Sequence, residues 1–236
     1  MKTLPYEAII FDLDGTLRVS SPRFMDALFD TLKEMGYPIR REAWKQAEPW
    51  VHYYWARSPE LQLDLETHGD DQLWLRFIHR LLQEGGLDAS LEDAQAVIDA
   101  FSEAYHPTSV LMPGAKDTLN ALREKDVTLG ILSNRREPFQ EELQHLGIAD
   151  YFDFTLAAGE VGVWKPDPNV FFAALERAGN VSPERAVYVG DNYYADVKGA
   201  KAAGMDVILM NDRGIFEVDE VPTITELRQL LSLLNI

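Results

Sequence analysis

The sequence predicts an α/β protein with a doubly wound, Rossmann-like parallel sheet and an all-helical block inserted after the first strand. Two observations predict this fold. Short apolar runs alternate with amphipathic stretches along most of the chain, and each run stops at Asp, Ser, Asn or Gly. Such alternation is typical of a parallel sheet with helices on both faces, because parallel strands need crossover connections. Residues 18–109 interrupt the alternation, which predicts the inserted block.

Five apolar runs predict the strands. The first, at 8–11, reads Ala-Ile-Ile-Phe and contains no polar position, as expected for a strand that is buried on both faces. The later runs have the same character and lie at 127–132, 154–158, 186–189 and 207–210.

Apolar residues at helical spacing predict amphipathic helices between these strands, at 114–125, 138–146 and 169–178. Pro168 suits the first turn of the last helix, where a missing backbone N–H removes no hydrogen bond. Gly147 follows another predicted helix, where glycine commonly ends the helix.

The inserted block at 18–109 is rich in Glu, Leu, Ala and Gln, and it has no β-branched run. Its aromatic residues recur at helical spacing, so we expect a separate helical domain. The remaining residues, 1–17 and 110–236, form the predicted core domain.

Charge and composition argue against several classes of function. There are 22 Lys and Arg residues against 39 Asp and Glu residues, giving a net charge of −17. This charge disfavours binding to nucleic acids and to anionic membranes. The absence of cysteine excludes disulfides and thiolate chemistry. With no signal-peptide pattern and no apolar run of roughly 20 residues, we expect a cytoplasmic protein. The sequence does not set its oligomeric state.

Polar residues follow the predicted strands where each strand ends. The carboxyl ends of parallel strands meet at one edge of a sheet, so these side chains are expected to converge. They are Asp12 and Asp14 after the first strand, Ser133 and Asn134 after the second, Lys165 in the loop after the third, and Asp191 with Asp196 after the fourth.

This set predicts a phosphoryl-transfer site. Converging carboxylates repel one another unless they are protonated or bind a cation, and hard oxygen ligands suit magnesium, Mg²⁺. A lysine and a hydroxyl at the same edge suit the oxygens of a phosphoryl group. Asp12 is then placed to attack phosphorus as a nucleophile.

Four motifs here resemble those of the haloacid dehalogenase-like hydrolases, and they occur in the family's order. The resemblance implies that Asp12 forms an aspartyl-phosphate. It also implies that Asp14 protonates the leaving oxygen and then activates water. The motifs are Asp12-Leu13-Asp14-Gly15-Thr16-Leu17, Ser133-Asn134, Lys165-Pro166-Asp167-Pro168, and Gly190-Asp191 followed by Asp196.

The resemblance also implies how the site binds its ligands. Ser133, Asn134 and Lys165 would hold the phosphoryl oxygens. Mg²⁺ would bind the Asp12 carboxylate, the Asp14 backbone carbonyl and Asp191. Asp196 would lie beside these ligands or act through a water molecule.

Asp14 distinguishes the branches of this family. Members that cleave carbon–halogen bonds or phosphonates typically lack this second acid, so its presence favours phosphoesters. Some sugar-phosphate mutases carry a linker histidine, but no histidine lies between Asp12 and Val51. We therefore predict a phosphatase that hydrolyses a small phosphorylated metabolite. The alternatives are a sugar-phosphate phosphomutase and a non-catalytic binding protein that kept the fold.

By the same resemblance, the helical block is a cap domain that sets substrate specificity. Its tryptophans, among them Trp50 and Trp55, either line a pocket or pack in the core of the block. Arg18 and Arg23 lie in the linker, where they either contact a substrate anion or form surface ion pairs; ion pairs are favoured.

Overall fold

The computed structural model describes residues 5–236, and the chain forms two compact units. The chain up to Val19 and the segment after Thr108 form the first, which we call the sheet unit. Ser20–Thr108 form the second, which we call the helical unit. No helix of residues 5–236 is both long enough and apolar enough to cross a membrane.

A six-stranded parallel sheet lies at the centre of the sheet unit, and a pair of short strands lies apart from it. The strands in chain order are β1 (Ala8–Phe11), β2 (Arg18–Ser21), β3 (Thr108–Leu111), β4 (Thr128–Ser133), β5 (Phe154–Ala157), β6 (Ala186–Gly190), β7 (Asp206–Met210) and β8 (Thr223–Ile224). The large sheet has the order β5-β4-β1-β6-β7-β8, and β2 pairs with β3. The predicted strands are therefore confirmed, with ends that differ by a residue.

The helices fall into two groups, one in each unit. The helical unit contains α1 (Phe24–Glu34), α2 (Arg41–Trp55), α3 (Pro59–His68), α4 (Asp70–Glu84) and α5 (Leu91–Ala104). The sheet unit contains α6 (Ala115–Arg123), α7 (Gln140–Leu146), α8 (Ala158–Val161), α9 (Pro168–Arg177), α10 (Lys198–Ala202) and α11 (Gln229–Leu233). Pro183–Arg185 and Ala149–Tyr151 form 3₁₀ turns, and Tyr193–Val197 form a π-helical turn just before α10.

Both faces of the sheet are covered, which explains why β1 is apolar throughout. Successive side chains of a strand point to opposite faces. Ile9 and Phe11 belong to an apolar core that includes residues of α6, α7 and α11. Ala8 and Ile10 belong to a second core that includes residues of α9 and α10. Every residue of β1 is buried, as the sequence predicts.

Local signals fix the ends of the helices. Asp167 accepts a hydrogen bond from the Asn169 N–H at the start of α9, and Pro168 occupies the first helical turn. Gly147 adopts a left-handed conformation, with φ of 65°, at the end of α7. The helix boundaries predicted from these two residues are confirmed.

The helical unit has its own apolar core, built from all five of its helices. Ser90 caps α5 in a reciprocal arrangement in which its hydroxyl accepts from the Asp93 N–H and the Asp93 carboxylate accepts from the Ser90 N–H. Ser58 caps α3, and Pro59 follows it. This unit therefore contains a packed core separate from the two cores around the sheet.

Strands β2 and β3 differ from the prediction, which placed helical structure throughout 18–109. Both are four residues long, and their side chains are exposed or partly buried. Strands that are not buried need no apolar run, so Arg18, Ser20 and Ser21 gave no strand signal.

The aromatic residues of the helical unit divide into buried and exposed groups. Tyr54 is fully buried, and the buried Trp44 indole donates a hydrogen bond to the Met25 carbonyl at 2.7 Å. Trp55 and Trp74 are 38% and 40% exposed, and both pack against Phe77 at centroid distances of 5.0 and 5.3 Å. Trp44 and Tyr54 therefore have a packing role, whereas Trp55 and Trp74 keep part of their ring surface exposed.

Candidate active site

The carboxyl ends of three neighbouring strands bring the predicted residues to one edge of the sheet. Phe11 at the end of β1 lies opposite Ile131 of β4 and Val189 of β6. Asp12 follows Phe11 directly, while Ser133 and Asp191 each lie two residues beyond the paired positions. The parallel register therefore places these three residues at the same edge.

Lys165 lies at the centre of a buried ion cluster. Its ammonium nitrogen is 2.7 Å from Asp12 Oδ1, 2.7 Å from Asp196 Oδ1 and 2.9 Å from the Tyr188 hydroxyl. The residue is only 2% exposed. Burial alone would lower the pKa of Lys165, but the charges of Asp12 and Asp196 reverse this effect and raise it. The lysine is therefore a fixed cation at the strand ends.

Carboxylates outnumber cations in this cluster. Asp12, Asp191 and Asp196 each offer an oxygen, and these oxygens lie within 4.8 Å of one another. When all three carboxyl groups are ionised, the ammonium of Lys165 offsets one of the three charges and leaves two negative charges in excess. Burial raises the pKa of Asp12 to about 7, with Lys165 opposing the rise and the neighbouring carboxylates adding to it. Burial and the charge of Asp12 also raise the pKa of Asp191.

A divalent cation fits this arrangement. A doubly charged cation between the close oxygen atoms would favour the ionised carboxyls and offset the two excess negative charges of the ionised cluster. Oxygen donors without nitrogen or sulfur suit hard cations such as Mg²⁺, Ca²⁺ and Mn²⁺.

Because Gly15 and Gly190 have no side chain, the carboxylates of Asp191 and Asp196 can pack directly against them. A Cβ on Gly15 would be 2.1 Å from Asp191 Oδ2, and a Cβ on Gly190 would be 2.4 Å from the Asp196 carboxyl carbon. Gly15 also has a φ of +92°, a backbone conformation that other residues rarely adopt. The sequence around the two aspartates is thus constrained by close packing as well as by chemistry.

Asp196 already uses both carboxylate oxygens. Oδ1 accepts from Lys165, and Oδ2 accepts from the Asn192 backbone N–H at 2.8 Å. The Asn192 side chain, in turn, accepts from the N–H groups of Tyr194 and Ala195 and caps the π-helical turn.

The side chain of Asn134 holds the loop that carries Lys165. Its amide donates to the Lys165 carbonyl at 3.0 Å and accepts from the Lys165 N–H at 2.7 Å. These two bonds use one of the two amide N–H donors of Asn134, so the other N–H remains for a further acceptor. Ser133 is the last residue of β4 and is buried at the edge where the loop begins.

Asp14 lies outside the buried cluster. Its side chain is 41% exposed and forms ion pairs with Arg18 and Arg135, at 2.6 and 2.8 Å. The sequence prediction of an ion pair for Arg18 is correct, but the partner is the candidate acid and the arginine is only 16% exposed.

Sequence reasoning missed Tyr188 and Arg135. Tyr188 lies in the interior of β6, where a tyrosine is an ordinary strand residue and gives no sign of a site. Its hydroxyl accepts from Lys165 and donates to the Leu132 carbonyl at 2.9 Å. Arg135 follows Ser133-Asn134 directly, and that adjacency was the available signal.

Comparison with known proteins identifies the family. Residues 6–204 match the sequence pattern of the haloacid dehalogenase-like hydrolases. The chain belongs to this family of hydrolases. The resemblance drawn from the four motifs is therefore confirmed, and so is the α/β fold.

Two curated relatives are named for hydrolysis of phosphate esters. A ribulose-1,5-bisphosphate 5-phosphatase from Halopiger xanaduensis is 32% identical over 209 residues, covering 86% of this chain and 84% of the relative. Pyrimidine 5'-nucleotidase YjjG from Escherichia coli is 33% identical over 189 residues, covering 77% of each chain. The family match and these names support a phosphoric monoester hydrolase.

A solved structure with a different named activity is also similar. A 2-haloacid dehalogenase from Pseudomonas syringae pv. tomato is 29% identical, with a TM-score of 0.57 and coverage of 98% of both chains. A similar fold therefore occurs in a protein named for carbon–halogen cleavage. The fold alone does not distinguish this reaction from phosphate-ester hydrolysis, so the residues of the site must be used to distinguish them.

Proposed function

We propose that the protein is a Mg²⁺-dependent phosphatase that hydrolyses a small phosphorylated metabolite through an aspartyl-phosphate on Asp12. The observation that carries this proposal is the cluster of buried Asp12, Asp196 and Lys165 with partly buried Asp191 at the strand ends. A binding protein would have no need for a nucleophile and a fixed cation buried together. The cluster therefore favours catalysis over a purely binding role.

Asp12 supplies the nucleophilic oxygen in this mechanism. Lys165 is hydrogen-bonded to one oxygen of its carboxylate, which leaves the other to form a bond to phosphorus. The bond between phosphorus and the leaving oxygen breaks, and Asp14 gives that oxygen a proton. Water then attacks phosphorus, Asp14 takes a proton from the water, and the bond to Asp12 breaks.

The residues proposed to hold Mg²⁺ are Asp12, Asp191 and the Asp14 backbone carbonyl. When bound, the ion supplies positive charge that attracts the phosphoryl group to the otherwise anionic edge. Lys165 and Ser133 are proposed to contact the phosphoryl oxygens, and Asn134 to keep Lys165 in place through its two hydrogen bonds.

Asp14 favours phosphoester chemistry over dehalogenation. A halide leaves as a stable anion and needs no proton, whereas an alkoxide leaving group of a phosphate ester does. Asp14 lies two residues after Asp12, and its side chain forms ion pairs with Arg18 and Arg135. A phosphomutase would use the same residues, so it remains the second candidate among enzymes.

The helical unit is proposed to act as a cap that selects the substrate, with the core domain at 1–17 and 110–236 performing the chemistry. The support is the exposed aromatic surface at Trp55 and Trp74, which offers rings for stacking. Four of the protein's five tryptophans lie in 18–109.

The test is a phosphate-release screen over a panel of phosphorylated metabolites, with Mg²⁺ and with excess chelator. Asp12→Asn should lower turnover by several orders of magnitude, because it removes the charged nucleophile and keeps its shape. Asp117→Asn is the matched control, since Asp117 is an exposed aspartate of the sheet unit.

Near-normal turnover by Asp12→Asn, or full activity in chelator, would contradict the mechanism. A product analysis that finds an isomerised sugar phosphate in place of inorganic phosphate would favour the phosphomutase.

A further inference from the structure

Asp14 is one of four charged residues that form a network in the sheet unit. The Arg135 guanidinium donates from Nε to Asp14 Oδ2 and from Nη2 to Asp14 Oδ1, both at 2.8 Å. Arg18 Nη2 lies 2.6 Å from the same Oδ1. Glu142 pairs with Arg135 Nη1 and lies 3.2 Å from Arg18 Nε. Ser109 donates to Glu142 at 2.6 Å, which completes the network.

The network is balanced in charge. Two guanidinium groups face two carboxylates, and three of the four side chains are at most a quarter exposed. Burial alone would raise the pKa of Glu142, but hydrogen bonds from Arg135 and Ser109 outweigh it and lower the pKa. No positive charge is left over to attract a second anionic group of a substrate, so the arginines are matched to Asp14 and Glu142.

The geometry fixes the direction of the Asp14 carboxylate. Asp14 lies on the loop after β1, and without partners its exposed side chain would sample several rotamers. The planar fork of Arg135 contacts both oxygens, which sets the plane of the carboxylate as well as its position. Arg135 is itself held by Glu142 of α7, a second and independent element.

Proton transfer requires such control. An acid that serves the leaving oxygen and then a water must meet both from one position, and transfer needs hydrogen-bond distance. A displacement of about 1 Å can reduce a rate by about 100-fold.

We propose that Arg135 is a positioning residue that acts through Asp14, orienting its carboxylate for leaving-group protonation, with Arg18 as a second contact and Glu142 as the anchor of Arg135. This inference rests on the proposed function, since it assigns Asp14 the role of acid. It names a part of the machinery that none of the four motifs contains.

The chemistry of arginine gives the inference a specific consequence. Lysine would keep the charge but has no planar fork, so it cannot contact both oxygens in one plane. If orientation matters, Arg135→Lys should resemble Arg135→Gln. If charge alone matters, Arg135→Lys should resemble the wild type.

The experiment compares kcat for an alkyl phosphate and for an aryl phosphate with a good leaving group. Arg135→Gln should lower kcat for the alkyl phosphate by about 10- to 100-fold and change the aryl phosphate much less, because a good leaving group needs little proton assistance. Arg123→Gln is the matched control. Arg123 also pairs with one aspartate through two contacts, at 3.0 and 3.1 Å, far along the chain from Asp14.

A double-mutant cycle separates positioning from a general structural effect. In an Asp14→Asn background, adding Arg135→Gln should cost little further activity on the alkyl phosphate, because Arg135 acts through the missing carboxylate. Glu142→Gln should show a weaker version of the same preference, which provides a second variant if Arg135→Gln fails to fold.

Equal losses on both substrates, additive losses in the cycle, or a faster reaction after Arg135→Gln would each overturn the inference. If the wild-type protein releases phosphate from neither substrate, the proposed function fails instead. If the wild type is active and only the leaving-group preference is missing, the role of Arg135 alone fails.

Discussion

Asp12 combines burial with a shortage of positive charge, and its pKa shows the consequence. The ordinary pKa of 3.8 rises to about 7, chiefly because the side chain is removed from water. Lys165 contacts the carboxylate yet cannot cancel the charges of the other two aspartates. The Asp12 carboxyl therefore resists ionisation, and a bound divalent cation would favour its ionised form.

This state predicts how stability depends on pH. A carboxyl whose pKa is higher in the folded state binds more protons folded than unfolded, so the contribution of Asp12 to stability should fall as the pH rises from about 4 to about 7. Carboxyls with a lowered pKa, such as Glu142, contribute in the opposite direction, so the fall is measured as the difference in thermal stability between the wild type and Asp12→Asn in chelator. Added Mg²⁺ should restore the stability of the wild type near pH 7.

A different outcome would contradict the electrostatic account. A wild type that loses no stability relative to Asp12→Asn across this pH range, or an equal response of Asp191→Asn and the wild type to Mg²⁺, would show that the carboxylates do not compete for charge in this way. Lys201→Gln, which changes an exposed lysine of the sheet unit, controls for the overall charge of −17.

The loops that follow the strands determine the shape of the site. The turn after β1 carries Gly15, and its missing Cβ gives Asp191 its place at the end of β6. Two loops that are distant in sequence thus share one small volume, and a single methyl group is enough to disturb it.

Gly15→Ala should lower activity by about 100-fold, because the new methyl group displaces Asp191. Gly179→Ala is the matched control: Gly179 has a φ of +98°, close to the +92° of Gly15, and nothing lies within 4 Å of its would-be Cβ. It should lose about 1–3 kcal/mol of stability through backbone strain and keep its activity. Similar activity of the two variants at a temperature where both are folded would show that strain, and not the contact with Asp191, determines the effect.

The sequence predicted the buried elements well and the exposed ones poorly. A strand covered on both faces must be apolar, so β1, β4, β6 and β7 were visible as runs. The linker strands β2 and β3 have exposed or partly buried side chains, so no apolar pattern marks them. The two-residue strand β8 is too short for any pattern to show.

The same limit applies to the candidate site. The convergence of Asp12, Lys165 and Asp191 could be predicted, because each follows or precedes a recognisable strand or helix. The contacts of Arg135 with Glu142 and of Tyr188 with Lys165 depend on tertiary packing, which no local spacing encodes.

The chain forms two units. We propose that the sheet unit performs the chemistry and that the helical unit selects the substrate. Buried Trp44 and Tyr54 hold the helical unit together, whereas Trp55 and Trp74 keep ring surface exposed. Buried aromatics contribute mainly to stability, and exposed ones are available for stacking on a ligand.

Trp55→Ala and Trp74→Ala should therefore change the ranking of substrates in the panel and leave a small aryl phosphate nearly unaffected. Trp44→Phe is the control, since it removes the hydrogen bond to Met25 and should lower stability without changing the ranking. If each variant instead lowers turnover of every substrate by the same factor, in proportion to its loss of thermal stability, Trp55 and Trp74 have a packing role only.

The measurement that tests the central claim most directly is trapping of the phosphorylated enzyme. The protein, with Mg²⁺, is mixed with an aryl phosphate that has a good leaving group, quenched in acid within one turnover, digested, and analysed by mass spectrometry. We predict that the peptide containing Asp12 gains the mass of one phosphoryl group. This species should accumulate in Asp14→Asn, whose dephosphorylation is slow, and be absent from Asp12→Asn. Turnover with no phosphoryl group on Asp12 in either the wild type or Asp14→Asn, or with the group on another residue, would contradict the account.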